Sequence, residues 1–308
     1  MINETFLKFK SNLELNETFD EIIERRHNAV RSVVENNGEG VKTQLIGSLQ
    51  RKTRIQPKEG QVFDLDILVI MGSFYNWLPA GTPGGVTPED AMQKLDQIIG
   101  KSDRYNAMNP QHDQPVISIK YQDNTKVELV PAYLDLIGSS ADGATHHPVG
   151  RAYWIPKDGR WVLADYDHEA AHITSLNTIT DGWFIPTVKM LKSAKREYFP
   201  QLDSFHLEII AGNIIPTLYL QRKQNNLEIS YPVLVTDFFN HADKFLENPI
   251  KITGSHSPHY SIDPATKVTL SGMLAQVKDH CNAIGSMANS AEKLKGWRTL
   301  FGDAFPTV

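Results

Sequence analysis

Residues 63–70 read FDLDILVI, a stretch in which two aspartates interrupt an otherwise apolar run. Successive side chains of a β-strand point to opposite faces, so Asp64 and Asp66 share one face. Leu65 and Ile67 point to the other face, into a core. Two carboxylates this close repel each other unless a cation lies between them, and unpaired buried charges are strongly unfavourable. The stretch therefore predicts a buried strand with a cation site on one face.

A third acid follows in residues 127–130, which read VELV. Glu128 stands between two apolar residues, so its side chain points to the opposite face of its strand from theirs. If this strand lies beside the first, its carboxylate converges with those of Asp64 and Asp66. Hard oxygen ligands favour Mg²⁺ or Mn²⁺, and a pair of such ions suits phosphoryl transfer. Asp135 is an alternative third acid, although it lies further along the chain from the strand.

A glycine–serine pair precedes the acids. Residues 41–46 predict a short strand, and Gly47 and Ser48 follow it in the segment IGSLQRKTRI. Such a turn offers backbone N–H groups and a hydroxyl to a phosphate, with no side chain on Gly47 in the way. Arg51 and Lys52 in the next loop either contact phosphates or are solvated. Each signal is weak alone, but the order of strand, Gly-Ser turn, basic loop, Asp-x-Asp and later acid is specific.

The chain changes character near residue 170. Before this point a helical N-terminal segment is followed by short strand patterns, with a hairpin around Asp123-Asn124 and another turn at Lys157-Asp158-Gly159. After it, apolar residues recur at helical spacing. We therefore expect an α+β protein with two lobes. Residues 1–170 form a mixed sheet with helices, and residues 171–308 form a helical lobe. The N-terminal helix is placed where it can contact both.

Composition excludes several classes of protein. Of the 308 residues, 41% are hydrophobic and 22% are charged, and no apolar run approaches the roughly 20 residues of a membrane span. The start lacks the apolar block of a signal peptide, and the single cysteine, Cys281, excludes an internal disulfide framework. We expect a cytoplasmic protein without a membrane partner. The net charge of −5 argues against strong nucleic-acid binding and is compatible with small anionic nucleotides.

The ordered set of motifs resembles that of the polymerase-beta-like nucleotidyltransferase superfamily. Within it, the chain resembles the bacterial cGAS/DncV-like nucleotidyltransferases (CD-NTases), relatives of animal cyclic GMP-AMP synthase and oligoadenylate synthase. Residues 184–212, FIPTVKMLKSAKREYFPQLDSFHLEIIAG, are similar to a helix pair of this family, and residues 295–306, KGWRTLFGDAFP, are similar to its ending. The resemblance covers the chain from about residue 20 onward.

The resemblance implies a two-lobed nucleotidyltransferase fold with the active site in the cleft between the lobes. There Asp64, Asp66 and Glu128 would hold two Mg²⁺ or Mn²⁺ ions. Lys192 and Ser204 would hold the triphosphate of ATP or another NTP, and Ser204 would also be the N-cap of the helix that follows it.

The bases would be contacted by aromatic side chains. Phe205 would stack on a nucleobase or else belong to the core. Tyr166, together with Asp165, would read the acceptor base. The resemblance further implies release of pyrophosphate and a cyclic di- or trinucleotide product that acts on a separate effector in antiphage signalling.

Three alternatives stay open. The family's third acid is usually aspartate, and Glu128 reaches one methylene further, so a catalytically inactive nucleotide-binding homologue is one. An enzyme with another acceptor, such as a linear oligoadenylate, an RNA end, a small molecule or a protein, is the second. A sensor of double-stranded nucleic acid is the third, disfavoured because neither a basic face nor an inserted zinc ribbon is evident.

Two further features of the sequence do not distinguish between these functions. The pair His146-His147, and His168 with His172 at helical spacing, are weak signals for zinc because no cysteines support them. The aromatic segment at residues 74–77, FYNW, either lines the pocket or covers the core.

Overall fold

The computed structural model describes residues 1–73, 86–113, 115–135, 151–246, 252, 255 and 262–307. The helices in these ranges are α1 (Ile2–Leu13), α2 (Glu17–Asn37), α3 (Gly47–Gln50), α4 (Pro88–Gly100), α5 (Asp103–Asn106), α6 (Tyr166–Ile179), α7 (Phe184–Tyr198), α8 (Ser204–Gln224), α9 (Tyr231–His241), α10 (Pro264–Ser286) and α11 (Ser290–Phe301), with 3₁₀ turns at Ala242–Leu246 and Gly302–Ala304. The strands are β1 (Lys42–Leu45), β2 (Phe63–Ser73), β3 (Gln111–Asp113), β4 (Val116–Lys120), β5 (Thr125–Leu134), β6 (Tyr153–Lys157) and β7 (Arg160–Ala164). The aromatic segment 74–77 and the pair His146-His147 lie outside the described residues.

The strands form one mixed sheet in the order β1-β2-β5-β4-β3, and β6 pairs with both β5 and β7. β2 and β5 run parallel, whereas the other pairs are antiparallel. The hairpin predicted around residues 123–124 joins β4 to β5, and Asn124 has the positive φ of a tight turn. The turn predicted at Asp158-Gly159 joins β6 to β7 in the same way, with both residues at positive φ.

The two faces of the sheet have different partners. On one face, Leu65, Ile67 and the flanking residues of β5 pack with the apolar sides of α2 and α4. On the other face, Leu68 and Val130 belong to a smaller cluster with residues of β6 and β7. Asp64 and Asp66 precede Leu68 on this second face. The apolar cluster therefore ends at Leu68, and a polar surface formed by the carboxylates follows it.

The helices after residue 170 enclose a second core, which also includes α1. Phe6, Phe9 and Leu13 are buried against α7, α9 and α11, and Phe6 makes edge contacts with the rings of Trp297 and Phe301. α2 instead packs on the sheet. The N-terminal segment is therefore two helices, separated at Asn16, whose side chain caps α2. Each of the two contacts a different core.

The two-lobed α+β architecture predicted from the sequence is confirmed. The mixed sheet packs with α2 and α4 around one hydrophobic core, and α1 packs with α6 to α11 around the other. No helix in the described ranges is long and apolar enough to cross a membrane.

Candidate active site

The three predicted acids meet because β2 and β5 pair in parallel. Their register sets Asp66 opposite Glu128 and Asp64 opposite Lys126. Residues two apart on a strand share a face, so all four side chains lie on the same surface of the sheet. Asp135 lies beyond the end of β5, where its backbone N–H donates to the carbonyl of Ala152 (2.9 Å). Glu128 is therefore the acid that the fold brings to the two aspartates.

A lysine lies among these carboxylates. Lys126 Nζ is 2.6 Å from Glu128 Oε1 and 3.1 Å from Asp64 Oδ1. Burial alone would lower the pKa of Lys126, but its hydrogen bonds and charge interactions with Glu128 and Asp64 raise it. In the described part of the chain, no three His, Cys, Asp or Glu side chains are arranged as a ready metal site. The lysine occupies the space that a shared cation would take.

Asp66 is the most enclosed of the three acids. Burial, followed by the charge of Glu128, raises the pKa of Asp66 to about 6. Gly47 lies directly against it, because a Cβ built on Gly47 would be 2.4 Å from Asp66 Oδ2. Gly47 also has a φ of +69°, which side chains other than glycine rarely adopt. Position 47 therefore requires glycine twice over, for its backbone and for the approach to Asp66.

The donor set fits a divalent cation. Asp64, Asp66 and Glu128 offer hard carboxylate oxygens on one surface, which is the chemistry that Mg²⁺ and Mn²⁺ prefer. The ammonium group of Lys126 already stands where positive charge is needed. Burial first, and then the charge of Glu128, raises the pKa of Asp66, while Arg54 acts to lower it.

These acids form one wall of a cleft of about 360 Å³. α3 and the loop after it, β2, α7 and the start of α8 line this cleft. Its lining contains most of the residues singled out from the sequence: Gly47, Ser48, Asp64, Asp66, Lys192, Ser204 and Phe205. Glu128 adjoins it through its pairing with Asp66. The side chains come from segments about 160 residues apart in sequence, yet they share one concave surface.

Tyr166, like Glu128, is a predicted site residue that is not part of the described lining. It is the first residue of α6 and packs at the edge of the apolar cluster that contains Leu68 and Val130. Asp165, the residue before the helix, is buried, and its Oδ2 accepts a hydrogen bond from Ser255 Oγ (3.3 Å). Both residues thus lie on the same face of the sheet as the acids, beyond the described lining of the cleft.

Lys192 is sealed from solvent by its partners. Its Nζ donates to Glu208 Oε1 (2.6 Å) and to the backbone carbonyl and the hydroxyl of Thr53 (3.0 and 3.1 Å). Burial lowers the pKa of Lys192 to about 8, and the charge of Glu208 opposes that shift. For Glu208, burial acts to raise the pKa, but Lys192 and Arg51 lower it to about 2. Glu208 was not singled out from the sequence, although it stands on α8 one helical turn after Ser204.

Arg51 belongs to the same buried cluster. Its Nε donates to Glu208 Oε2 (2.7 Å), its Nη1 lies 3.6 Å from Glu169 Oε2, and its side chain is 7% exposed. Its guanidinium also covers the ring of Phe205, with Cζ 4.2 Å from the ring centroid. Arg51 is therefore not solvated, because it forms a buried ion pair that supports one face of Phe205. It also lines the cleft, so the alternative of a phosphate contact stays a prediction.

The cap of α8 differs from the prediction by one residue. Ser204 is the first helical residue, and Asp203 is the N-cap, with its carboxylate accepting from the backbone N–H groups of Phe205 and His206. Asp203 takes the cap because its carboxylate reaches the free N–H groups of the first turn. Ser204 consequently does not serve as the cap, and it lines the cleft.

Three other basic residues line the cleft and were not predicted. They are Arg54, Lys195 and Arg196. Arg54 lies over the ring of Phe63, 4.3 Å from its centroid, and burial lowers the pKa of Arg54 while Asp66 and Asp64 act to raise it. Arg196 donates to the carbonyl of Gln56 (2.7 Å), and burial lowers its pKa to about 10. Within the described residues none of the three forms an ion pair, so this wall of the cleft presents unneutralised positive charge.

His168 and His172 lie one turn apart on α6 as their spacing predicts. Burial, and then the charge of His168, lowers the pKa of His172, which favours its neutral form.

Comparison with known proteins finds a matching family and a similar curated protein. The family described as the Second Messenger Oligonucleotide or Dinucleotide Synthetase domain matches residues 1–146. A probable cyclic nucleotide synthase of Bacillus cereus (strain VD146) is 21% identical over 291 residues, which covers 85% of this chain and 81% of that protein.

Solved structures share the fold over most of the chain. CdnC of Escherichia coli MS115-1, determined with ATP, has a TM-score of 0.69 at 12% identity and covers 99% of both chains. The c-UMP-AMP synthase CdnE of Rhodothermus marinus has a TM-score of 0.62 at 13% identity, over 94% of this chain and 98% of that one. The cyclic AMP-GMP synthase DncV of Vibrio cholerae has a TM-score of 0.61 at 12% identity, over 87% of this chain and 71% of that one.

Proposed function

We propose that this chain is a nucleotidyltransferase of the cGAS/DncV-like kind, a metal-dependent synthase of a cyclic di- or trinucleotide. The observation that carries the proposal is the parallel register of β2 and β5, in which Asp66 is paired with Glu128 at the wall of the cleft. Facing this acidic wall are Arg54, Lys195 and Arg196. A substrate with a polyanionic triphosphate and an acid-bound cation meets both walls at once.

We assign the binding of two Mg²⁺ or Mn²⁺ ions to Asp64, Asp66 and Glu128. When bound, these ions supply a means of activating a hydroxyl and of stabilising negative charge on a leaving pyrophosphate. The protein contributes the carboxylates on adjacent strands, which need no rearrangement of the backbone to share a cation. Gly47 contributes by leaving room beside Asp66 Oδ2.

The nucleotide is assigned to the same cleft. Gly47 and Ser48 offer backbone N–H groups and a hydroxyl to its phosphates. Ser204 at the start of α8 adds a hydroxyl and the N-terminal end of a long helix, which attracts anions. Lys192 is assigned to the triphosphate from the lining of the cleft, although Glu208 balances its charge. The face of Phe205 turned away from Arg51 is available to a base. Tyr166 is assigned to the second nucleotide, on the same face of the sheet.

The reaction is attack of a ribose hydroxyl of one nucleotide on the α-phosphate of another. The new bond joins that oxygen to the α-phosphorus, the bond from this phosphorus to the oxygen bridging to the β-phosphate breaks, and pyrophosphate leaves. A second attack within the linear product closes the ring. Catalysis of this kind rests on positioning and charge neutralisation, so the residues of the cleft need only hold both nucleotides in line.

Relatives point to the kind of product and its use. CdnE is a c-UMP-AMP synthase and DncV is a cyclic AMP-GMP synthase. We propose that this chain likewise makes a soluble signal from ATP or other NTPs in the cytoplasm, and that the signal activates a separate effector in antiphage defence.

The test is to incubate the purified protein with all four NTPs and Mg²⁺ or Mn²⁺, treat with phosphatase, and identify the surviving product by mass spectrometry. A phosphatase-resistant cyclic di- or trinucleotide is the expected result. Pyrophosphate release without a resistant product would replace the proposal with an enzyme that uses another acceptor.

One observation favours a second candidate, a catalytically inactive nucleotide-binding homologue. Glu128, which stands where the family usually has aspartate, forms a close ion pair with Lys126. If that pair withholds Glu128 from a metal, nucleotides bind without turnover. Nucleotide-induced thermal stabilisation in a protein that yields no pyrophosphate with either metal would support this reading.

A further inference from the structure

Lys126 lies next to the carboxylates of the candidate site, although it belongs to none of the motifs identified in the sequence. Its register partner on β2 is Asp64, and Glu128 lies two residues further on the same face of β5. Its ammonium group approaches both, at 3.1 Å and 2.6 Å. Asp66, the register partner of Glu128, is the third acid of the group. One lysine therefore pairs with two of the three carboxylates that the proposed function assigns to metal ions.

We propose that Lys126 is the resident counter-cation of this carboxylate site and that divalent ions must displace its ammonium group to bind. The inference rests on the proposed metal site. It adds that a side chain of the protein competes with the metal ions for the same carboxylates. In the absence of metal, Lys126 relieves the repulsion between Asp64 and Glu128. With metal bound, those oxygens carry the ion and Lys126 turns toward solvent.

The exposure of the side chain makes this exchange feasible. Lys126 and Glu128 are each 23% exposed and Asp64 is 38% exposed, so the ammonium group has a direct route to water. A lysine side chain is long and flexible, and its charge is well solvated once released. Lys192 is different, because in its ion pair with Glu208 the lysine side chain is 6% exposed and the glutamate side chain is 0% exposed.

The other charges around Lys126 agree with the role. Arg54 also interacts with all three acids and Arg51 interacts with Asp66, but Arg54 lies over the ring of Phe63 and Arg51 is paired with Glu208. Lys120 is the cross-strand neighbour of Lys126 on β4, and it is exposed with no carboxylate partner in the described residues. Lys120 is therefore a matched control, because it is a neighbouring lysine on the same face of the sheet that forms no ion pair with the three acids in the described residues.

The test measures metal binding directly, with Mn²⁺ titrated by electron paramagnetic resonance into wild type, Lys126→Gln, Lys120→Gln and Asp66→Asn. We expect Lys126→Gln to bind Mn²⁺ about tenfold more tightly than wild type, because a unit charge in contact with the ligands has been removed. Lys120→Gln should match wild type. The same samples without metal should show a lower melting temperature for Lys126→Gln, which Mn²⁺ restores.

Equal or weaker Mn²⁺ affinity in Lys126→Gln would overturn the inference. Lys126→Arg keeps the positive charge and serves if the glutamine variant does not fold; it should bind Mn²⁺ no more tightly than wild type, and a tenfold gain would contradict competition by charge. Failure of the proposed function has a different signature. In that case wild type, Lys126→Gln and Asp66→Asn would all bind Mn²⁺ equally weakly.

Discussion

Two clusters of charge lie on either side of the cleft, and they are built in opposite ways. In the first, Glu208 and Glu169 balance Arg51 and Lys192, and the side chains are 0 to 7% exposed. In the second, Asp64, Asp66 and Glu128 face one lysine, and the members in contact with it are 23 to 38% exposed. The closed cluster is neutral and satisfied, whereas the open cluster carries excess negative charge.

The difference separates scaffold from function. Buried ion pairs that are fully hydrogen-bonded hold a geometry, and breaking one partner leaves an uncompensated charge. The closed cluster joins the loop after α3 to α7 and α8, so it fixes the two walls of the cleft relative to each other. Carboxylates left in excess and near solvent have the properties of a site that awaits a cation. Mutations should therefore affect stability in one cluster and activity in the other.

The largest effect is expected in the open cluster. Replacing both aspartates, Asp64→Ala with Asp66→Ala, should abolish the nucleotide product while leaving the melting temperature equal or higher, because repulsion among carboxylates is relieved. Mass spectrometry of the reaction and thermal unfolding of the same sample measure the two effects. Glu59→Ala, at an exposed turn, is the control and should leave both unchanged. A double mutant with wild-type turnover would show that these acids are not the metal ligands.

The next effect tests the backbone beside the open cluster. Gly47→Ala should reduce kcat roughly a hundredfold, because the added Cβ would lie 2.4 Å from Asp66 Oδ2 and must push the carboxylate away. Gly60→Ala is its matched control, since Gly60 has a similar φ of +76° with nothing within 4 Å of the added Cβ. Both variants should lose about 1–2 kcal/mol of stability from the left-handed backbone. Activity losses of equal size would assign the effect to the backbone rather than to Asp66.

The closed cluster should respond in the reverse manner. Glu208→Gln leaves Lys192 and Arg51 buried without their carboxylate, and we expect about 3–5 kcal/mol of lost unfolding free energy in urea titrations. Glu21→Gln, on the exposed side of α2, should change the unfolding free energy by less than about 0.5 kcal/mol. A Glu208→Gln protein as stable as wild type would mean that the cluster is not a scaffold.

Sequence reasoning succeeded where local periodicity carries the information. The alternation of FDLDILVI was enough to put Asp64 and Asp66 on one face and Leu65 on the other. Glu128 joins the two aspartates only because β2 pairs with β5. The sequence could not show that these two strands are neighbours, so the prediction for Glu128 was conditional on that pairing. The positive φ at Asn124 and Asp158 agrees with the two predicted hairpin turns because turn residues are chosen locally.

Sequence reasoning failed where two interacting residues are far apart in the chain. Arg51 and Glu208 are 157 positions apart, and a basic residue in a loop reads as solvated until the fold supplies its partner. Lys126 was missed for a related reason, since a lysine beside a buried strand residue is an ordinary feature of strand ends. Ser204 and Asp203 were confused because either can cap a helix, and only the backbone angles decide between them.

The smallest effect is a pH dependence of stability that comes from the closed cluster. The pKa of Glu208 is about 2 in the folded protein and 4.5 ordinarily, because Lys192 and Arg51 outweigh burial. The unfolded chain then binds the proton first, so this contribution is complete above pH 4.5 and is lost as pH falls toward 2, with a slope of about 1.4 kcal/mol per pH unit at most.

Urea unfolding midpoints measured between pH 5 and pH 3 should therefore fall more steeply for wild type than for Glu208→Gln, which has no carboxylate to protonate. Glu21→Gln controls for the general acid sensitivity of the protein and should follow the wild-type slope. Parallel slopes for wild type and Glu208→Gln would mean that Glu208 is not held ionised by its neighbours. The contrast between the closed cluster and the open cluster would then be supported only by the results for Asp64, Asp66 and Gly47.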